Sequence, residues 1–222
     1  MGCIFVIAGG SIGNKDFLRS QIVKFGPDEL VCADGGARHV VALDLTPQVI
    51  IGDMDSLPPE ILQRCKGMGS QIIRHPREKK ETDTQLALEY ACRFHPDEIR
   101  IYGGLGGRID HALANISLLL PAARRGLTAK LVDEWCEFFA ITQTTTMEGI
   151  AGQTVSLFPL SDQVQGIELT GFEYPLSGGT MEIGAPYGIS NRLQADRGVI
   201  AIGSGCLLVV KYTQPGIFPP GD

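Results

Sequence analysis

The segment IRIYGGLGGRIDHALANISLLL, residues 99–120, spells out one strand, one loop and one helix in succession. Ile99–Tyr102 is a short β-branched and aromatic run, which is typical of a strand. A glycine-rich turn follows, and apolar residues then recur at positions 109, 112, 113, 116 and 119. That spacing predicts a helix with one apolar face. The segment therefore indicates a βα unit.

The same alternation fills the first part of the chain. Strand-like runs occur at Cys3–Ala8, Leu30–Ala33, Val49–Ile51, Gln71–Ile73 and Ala129–Val132. Apolar residues between Leu86 and Phe94 again recur at helical spacing. Alternating strands and helices are typical of a largely parallel sheet covered by helices, and we expect both predicted helices to pack on that sheet.

The pattern changes around Glu134. Helical periods stop, and short strand-like runs separated by Gly, Thr and Pro continue to the end of the chain, at Phe138–Thr142, Thr154–Phe158, Gln165–Leu169, Thr180–Ile183, Gly198–Ile202 and Cys206–Lys211. This spacing predicts a sandwich. We predict an α/β domain over residues 1–134 and a small all-β domain over residues 135–222.

Composition excludes several classes of protein. The 222 residues are 44% hydrophobic and 20% charged, as in ordinary globular proteins. The net charge of −6 leaves no broad basic surface, so we expect no nucleic-acid partner. No apolar run approaches membrane-spanning length and no leader pattern is present, which favours a cytoplasmic protein without a membrane partner. Six scattered cysteines without a CxxC pair suit a reducing compartment.

Polar residues follow the predicted strands, where open parallel sheets bind ligands. Residues 8–11, Ala-Gly-Gly-Ser, form either a phosphate-binding loop or a simple tight turn. Asp34, followed by Gly35, either holds a ribose hydroxyl or caps a helix.

Asp53 and Asp55 follow the third strand, separated by one residue. In extended or turn geometry their carboxylates share a side and converge on one cation, for which Mg²⁺ is the natural choice. The alternative is an Asx turn with a capping Ser56. Asp83, with Thr82, begins the Leu86–Phe94 helix after a basic segment that includes Lys79; either these residues only cap the helix or they suit a metal–triphosphate complex.

The loop after Tyr102 offers phosphate-binding groups. Gly104, Gly106 and Gly107 supply backbone N–H donors, and Arg108 supplies a guanidinium fork. Asp110 and His111 lie beside it, although such a histidine is more often a neighbour's hydrogen-bond partner than a base. The loop is not GxGxxG, and the chain has no Walker loop and no Cys or His nucleophile arrangement. The combination of carboxylates, positively charged side chains and glycine-rich loops favours Mg-dependent phosphoryl-type transfer.

The motifs, in their order, resemble those of the thiamine pyrophosphokinase family. They are ADGGA (33–37), P-x-x-I-I-G-D-x-D-S (47–56), EKKETD (78–83), GGLGGRIDH (103–111) and GISNR (188–192). The resemblance implies a Rossmann-like, largely parallel α/β domain, a small β-sandwich and a homodimer whose active site is completed across the subunit interface. It also implies attack of the thiamine hydroxyl on the β-phosphorus of ATP, with release of AMP.

Carried over position by position, the resemblance implies four sets of site residues. Asp53, Asp55 and Asp83 would hold Mg²⁺. Catalytic roles would fall to Asp55, Asp83, Arg108 and Asp110. The nucleotide would contact Asp34, Gly35, Lys79, Gly104, Gly106, Gly107 and Arg108. Thiamine would contact Ser190 and Asn191.

Two departures and two alternative functions accompany this interpretation. Lys80 stands where many bacterial relatives have Asp, and Leu193 and Gln194 stand where some have an aromatic ring against thiamine. Aromatic residues elsewhere in the second domain are the candidates to replace it: Trp135, Phe172, Tyr174 and Tyr187. The alternatives are pyrophosphoryl transfer to another hydroxymethyl heterocycle, such as a pterin, and a non-catalytic thiamine- or nucleotide-binding module.

Overall fold

The computed structural model describes residues 2–185 and 187–219. The chain divides into two compact units. The first runs to Leu118 and resumes with Gly126–Asp133, and the second comprises Leu119–Arg125 and the residues from Glu134 on.

The first unit alternates strands and helices, as its sequence pattern predicts. Its elements are β1 (Cys3–Ile7), α1 (Lys15–Phe25), β2 (Glu29–Ala33), α2 (Ala37–Val41), β3 (Val49–Gly52), α3 (Pro59–Gly67), β4 (Gln71–Arg74), α4 (Asp83–Cys92), β5 (Glu98–Tyr102), α5 (Ile109–Ser117) and β6 (Ala129–Val132). The strands pair in parallel in the order β6-β5-β1-β2-β3-β4. A one-turn 3-10 helix, Asp34–Gly36, connects β2 to α2.

Local chemistry sets the helix ends. The Asn14 side chain accepts hydrogen bonds from the backbone N–H groups of Asp16 and Phe17, which begins α1. Gly26, in the left-handed region at φ 52°, ends it. At α4, Thr82 is the cap, because its hydroxyl accepts a hydrogen bond from the Gln85 N–H at 3.1 Å.

The strand order reverses at β1. From β1 the chain adds β2, β3 and β4 on one side, then returns to place β5 on the other side of β1. Loops after two such neighbouring strands leave in opposite directions and open a crevice at the carboxyl edge of the sheet. The loops following β1 and β5 are therefore where a ligand site is expected.

The second unit is the predicted β-sandwich, preceded by one short helix. Its elements are α6 (Leu119–Arg124), β7 (Cys136–Ile141), β8 (Thr145–Glu148), β9 (Thr154–Pro159), β10 (Gln163–Thr170), β11 (Leu176–Glu182), β12 (Asn191–Arg192), β13 (Arg197–Ala201) and β14 (Leu207–Tyr212). Antiparallel pairing gives one layer in the order β12-β9-β14-β7 and another in the order β11-β10-β13-β8. Buried side chains from both layers form a single core, for example Val155 and Val209 from one and Ile167 and Ile200 from the other.

The expected packing on the sheet is confirmed for α4, whereas part of the apolar face predicted for α5 is exposed. Helix α4 packs along β1, β2 and β3 and buries Ala87, Leu88 and Ala91. In α5, Ile109 and Leu113 are 78% and 64% exposed. The predicted apolar stripe also does not continue unbroken to Leu119, because α5 ends at Ser117 and a new helix begins at Leu119. Within the described part of the chain, no helix combines the length and the apolar character needed to cross a bilayer.

Candidate active site

A cavity of about 400 Å³ lies at the carboxyl edge of the parallel sheet, where the strand order reverses. The loops after β1, β2 and β5 and the start of α4 line it. Six predicted nucleotide-site residues line it as well: Asp34, Gly35, Gly104, Gly106, Gly107 and Arg108. Asp83, to which the sequence assigns metal-binding and catalytic roles, also contributes to the wall.

The glycines of two loops hold those loops against each other. The Gly10 N–H donates to the Gly103 carbonyl at 3.0 Å, and the Ser11 N–H donates to the Gly106 carbonyl at 3.2 Å. A Cβ on Gly10 would lie 2.4 Å from both carbonyl oxygens, so no other residue fits at this position without moving a loop. Residues 8–11 thus form a turn that packs on its neighbour and also lines the cavity.

Three carboxylates meet beside this cavity. Asp34, Asp53 and Asp83 each present an oxygen, and these oxygens lie within 4.8 Å of one another. They come from three places in the chain: the end of β2, the turn after β3 and the first residue of α4. Because β2 and β3 are parallel neighbours, their carboxyl ends bring Asp34 and Asp53 to the same edge.

Asp34 is the most deeply buried of the three. The residue is 2% exposed, and its Oδ2 accepts a hydrogen bond from the Ser56 N–H at 2.9 Å. Among the described residues, its Oδ1 has no hydrogen-bond partner. Burial raises the pKa of Asp34, and the charges of Asp83 and Asp53 raise it further. The carboxylate does not cap a helix, since neither the 3-10 turn nor α2 has a side-chain cap.

Gly52 allows the carboxylates to approach one another. A Cβ on this residue would lie 2.8 Å from the Asp34 Cβ and 3.0 Å from the Asp83 Cγ. The sequence shows this glycine at the end of a strand, but its close approach to two acids depends on the folded arrangement.

Asp55 lies apart from this cluster. Its Oδ2 is 3.5 Å from the Arg77 Nε, its Oδ1 accepts a hydrogen bond from the Ser56 hydroxyl at 3.0 Å, and its side chain is 45% exposed. Asp53 does form the Asx turn considered as an alternative, since its Oδ1 accepts from the Asp55 N–H at 3.1 Å. The turn and the cluster coexist, because Asp53 makes this hydrogen bond and also presents an oxygen within 4.8 Å of oxygens of Asp34 and Asp83. Its Oδ2 lies 3.7 Å from the Lys79 ammonium group. Whether Asp55 binds a cation stays a prediction.

Arg108 and Asp110 form an exposed ion pair at the start of α5. Both oxygens of Asp110 accept from the Arg108 guanidinium, and Asp110 Oδ1 also accepts from the His111 N–H. The hydrogen bonds from Arg108 lower the pKa of Asp110 to about 2. Such a carboxylate is a weak proton acceptor, so Asp110 suits orientation of Arg108 better than base catalysis.

Arg38 lines the cavity but is not among the site residues predicted from the sequence. It lies in the first turn of α2, lines the cavity and donates from Nη2 to the Gly9 carbonyl. A basic residue three positions after Gly35, at a helix start that follows a strand, is a signal that the sequence did contain. One of its five donors is used on Gly9, and its guanidinium is exposed.

In the second unit, the Asn191 side chain is committed to the backbone. Its Oδ1 accepts from the Tyr174 and Arg192 N–H groups at 3.0 and 2.8 Å, and its Nδ2 donates to the Tyr174 carbonyl at 2.8 Å. Ser190 has a left-handed backbone at φ 60°, and its N–H donates to the Ser156 hydroxyl at 3.0 Å. Asn191 therefore fixes the Tyr174 segment.

Among the aromatic candidates, Phe172 is 1% exposed and belongs to the sandwich core, which removes it as a stacking residue. Tyr174 and Tyr187 are 62% and 53% exposed. These two rings remain available for contact with a ligand.

The donor set of the acidic cluster fits a hard divalent cation. Carboxylate oxygens are the ligands that Mg²⁺ prefers, and it commonly takes one or two of them together with substrate phosphates. The partnerless buried oxygen of Asp34 and the mutual repulsion of adjacent carboxylates both call for a positive charge at this place.

Comparison with known proteins gives a consistent result over most of the chain, residues 27–207. Residues 27–131 match the family described as "Thiamin pyrophosphokinase, catalytic domain", and residues 132–207 match "Thiamin pyrophosphokinase, vitamin B1 binding domain". A thiamine pyrophosphokinase of Bacillus subtilis is 30% identical over 183 residues, which cover 82% of this chain and 86% of that protein.

Solved structures agree with this result. The crystal structure of thiamin pyrophosphokinase from Geobacillus thermodenitrificans superimposes with a TM-score of 0.83 at 29% identity, covering 97% of this chain and all of that one. The Bacillus subtilis enzyme also gives 0.83, at 26% identity, covering 96% of this chain and 99% of that one. The chain belongs to the thiamin pyrophosphokinase family.

Proposed function

We propose that this protein transfers pyrophosphate from ATP to the hydroxyl group of thiamine in a Mg²⁺-dependent reaction, giving thiamine diphosphate and AMP. The observation that carries the proposal is the convergence of Asp34, Asp53 and Asp83 at the edge of a glycine-lined cavity, in a chain of this family. In the reaction the hydroxyl oxygen bonds to the β-phosphorus, the bond from that phosphorus to the α-phosphate oxygen breaks, and the hydroxyl proton is released.

The first domain, residues 1–134, supplies the nucleotide site in this proposal. The polyphosphate lies along Gly104, Gly106 and Gly107, where backbone N–H groups and the Arg108 fork suit phosphate oxygens. Asp34 and Gly35 line the same cavity and would contact the nucleotide, and Lys79 adds positive charge beside Asp83.

Asp53 and Asp83 would hold the cation, with Asp34 as the buried ligand and Asp55 as the exposed one. A bound Mg²⁺ supplies charge neutralisation for the polyphosphate and its transition state. Asp83 lines the cavity, and it is a better-placed proton acceptor for the thiamine hydroxyl than Asp110, whose pKa is about 2.

The second domain, residues 135–222, supplies the thiamine site and the dimer contact. Ser190 would contact thiamine directly. Asn191 would act through the backbone of Tyr174, whose exposed ring is a candidate to stack on the substrate. Helix α5 of the first domain would add to this contact, because its exposed apolar side chains Ile109 and Leu113 support burial of that helix face in a homodimer, with the active site completed by the partner subunit. Reduced cysteines support a cytoplasmic location.

The test of this function is product analysis after incubation with ATP, Mg²⁺ and thiamine, with thiamine omitted in a parallel reaction. We expect thiamine diphosphate and AMP in equal amounts, and neither product without thiamine. Formation of ADP with thiamine monophosphate would contradict pyrophosphate transfer, and saturable thiamine binding without turnover would favour the binding-module alternative. Offering a hydroxymethylpterin in place of thiamine tests the other alternative, and we expect no AMP from it.

Replacing Arg38 with Met is expected to raise the KM for ATP by about 10- to 100-fold, the equivalent of one lost charge-assisted hydrogen bond. The reason is that the guanidinium lines the cavity without contributing to the sheet core. Steady-state kinetics with varied ATP measure it. Arg19→Met is the matched control, because Arg19 also donates to a backbone carbonyl, that of Leu43, outside the cavity. An unchanged KM in the Arg38 variant would remove this residue from the nucleotide site.

Replacing Asp55 with Asn is expected to lower turnover by about 100-fold or more while leaving the melting temperature unchanged. Asn retains an oxygen that can accept the hydrogen bond from the Ser56 hydroxyl but is a weaker cation ligand. Kinetics at saturating Mg²⁺ and thermal unfolding together measure both effects. Near-normal turnover would mean that Asp55 takes no part in the reaction.

A further inference from the structure

The ammonium group of Lys79 lies among the clustered carboxylates. Its Nζ is 2.9 Å from Asp83 Oδ1 and 3.7 Å from Asp53 Oδ2, and its side chain is only 11% exposed. The neighbouring Lys80 is exposed. Lys79 is therefore held in the acidic cluster, whereas the next lysine along the chain is not.

The position of Lys79 conflicts with the position of a cation on the same acids. A Mg²⁺ ion binds carboxylate oxygens at about 2.0–2.1 Å, so an ion shared by Asp53 and Asp83 would lie close to the ammonium group. Two positive charges at that distance repel strongly where solvent is largely excluded. A metal ion bound through Asp53 Oδ2 and Asp83 Oδ1 would therefore compete with the Lys79 ion pairs.

The cluster needs one or the other positive charge. Asp34, Asp53 and Asp83 place their oxygens within 4.8 Å of one another, and the buried Oδ1 of Asp34 has no hydrogen-bond partner among the described residues. Lys79 offsets part of this charge, and its flexible four-carbon stem lets the ammonium move without a change in the backbone. Asp83 lines the cavity, so an ammonium released from Asp83 stays beside the cavity.

We propose that Lys79 is a built-in counter-ion, which a divalent cation displaces from Asp53 and Asp83 and which then pairs with the polyphosphate of the nucleotide. This proposal rests on the proposed function, because it concerns the same cation and nucleotide site. In the metal-free protein the Lys79 ammonium group offsets the repulsion between the carboxylates. After the metal has bound, the same ammonium group is free to pair with the phosphates.

The first experiment measures binding of Mn²⁺ alone, followed by its electron paramagnetic resonance signal, to the full chain without nucleotide. Wild type is compared with Lys79→Met and with Lys79→Gln, which keeps a hydrogen-bond donor but no charge. Both neutral variants are expected to bind Mn²⁺ about 10-fold more tightly or better, because the competing ammonium is gone. Without metal, both variants are also expected to have a lower melting temperature than wild type, and added Mn²⁺ is expected to raise their melting temperature more than it raises that of wild type.

Lys80→Met is the matched control. It removes the same charge one residue away, and we expect its Mn²⁺ affinity to stay within about threefold of wild type, because exposed charges are well screened. Equal or weaker Mn²⁺ binding in both Lys79 variants would overturn the displacement. An equal increase in Mn²⁺ affinity in the Lys80 variant would also overturn the displacement, since the loss of any one positive charge from the protein would then explain the result.

The second experiment tests the transfer to the nucleotide. With saturating Mg²⁺ and no thiamine, ATP binding to Lys79→Met is expected to weaken about 10-fold. Unchanged ATP affinity would overturn the pairing of Lys79 with the polyphosphate. Neither measurement depends on turnover, so tighter Mn²⁺ binding in a chain that makes no thiamine diphosphate would support the exchange and contradict only the proposed function.

Discussion

Asp34→Asn is expected to abolish most of the turnover and, at the same time, to raise the melting temperature of the metal-free protein. The activity loss follows from removal of the buried cation ligand, and we expect a decrease of about 100- to 1,000-fold in kcat. The fold should persist because the Asn side chain still offers an oxygen to the Ser56 N–H. Kinetics and thermal unfolding of the same sample measure both changes.

The sign of the stability change follows from the raised pKa of Asp34. Burial, with the charges of Asp83 and Asp53, raises that pKa in the folded protein. A carboxyl group of this kind contributes stability below its ordinary pKa, and that contribution is lost as the pH rises through the raised value. At neutral pH the charged form lowers the free energy of unfolding, and the uncharged amide removes that penalty.

A stabilisation of about 1 kcal/mol corresponds to a shift of about 2–4 °C for a chain of this size. The shift should shrink as the pH falls to about 4, near the ordinary pKa of Asp. Saturating Mg²⁺ should also reduce this difference in melting temperature, because cation binding stabilises the wild type more than the variant.

Asp44→Asn is the control for this prediction. Asp44 also has a left-handed backbone, φ 58° against 38° for Asp34, but it pairs with Arg64 at 3.3 Å outside the cavity. We expect normal turnover in that variant. Turnover in Asp34→Asn comparable to wild type would show that the partnerless oxygen is not a cation ligand.

The sequence predicted the parts of this site that depend on strand ends. Asp53 follows a strand of apolar residues and Asp34 follows another, and this pattern alone predicts that both lie at the carboxyl edge of the sheet. Their side-by-side placement depends on β2 and β3 being adjacent, which the alternation of strands and helices indicates but does not specify. The sequence does not predict that Asp34 joins the acidic cluster, because this depends on where the fold places the carboxylates of Asp53 and Asp83.

Other features were beyond the sequence for physical reasons. The commitment of Asn191 to Tyr174 depends on a hydrogen bond between positions 17 residues apart, which no local pattern encodes. The periodicity of α5 predicted an apolar face correctly but not its exposure, since periodicity does not identify what covers a face. Strand β8, Thr145–Glu148, contains a single apolar residue, and strand β12 has only two residues, so neither produces an alternating apolar pattern.

Gly52→Ala is expected to weaken cation binding and lower turnover strongly, because it displaces two carboxylates without changing any charge. Its Cβ would lie 2.8 Å from the Asp34 Cβ and 3.0 Å from the Asp83 Cγ, and the φ of 154° at this position is rarely adopted by other residues. The acids must move apart, so we expect Mn²⁺ affinity to fall about 10- to 100-fold and turnover to fall with it. Overpacking of this kind also destabilises by about 1–3 kcal/mol, which denaturant unfolding measures.

Gly67→Ala is the control, because it makes the same substitution at a position away from the carboxylates. Gly67 is the last residue of α3, and a Cβ there would meet no described atom within 4 Å. Alanine is favoured over glycine in a helix, so this variant should be neutral or more stable by up to about 1 kcal/mol, with normal turnover. If Gly52→Ala retained full Mn²⁺ affinity and turnover, the close approach of Asp34 and Asp83 would not be what binds the cation. If only the Gly52 variant lost cation binding, the result would show that binding requires a residue without a Cβ at position 52, where the Asp34 and Asp83 side chains approach one another.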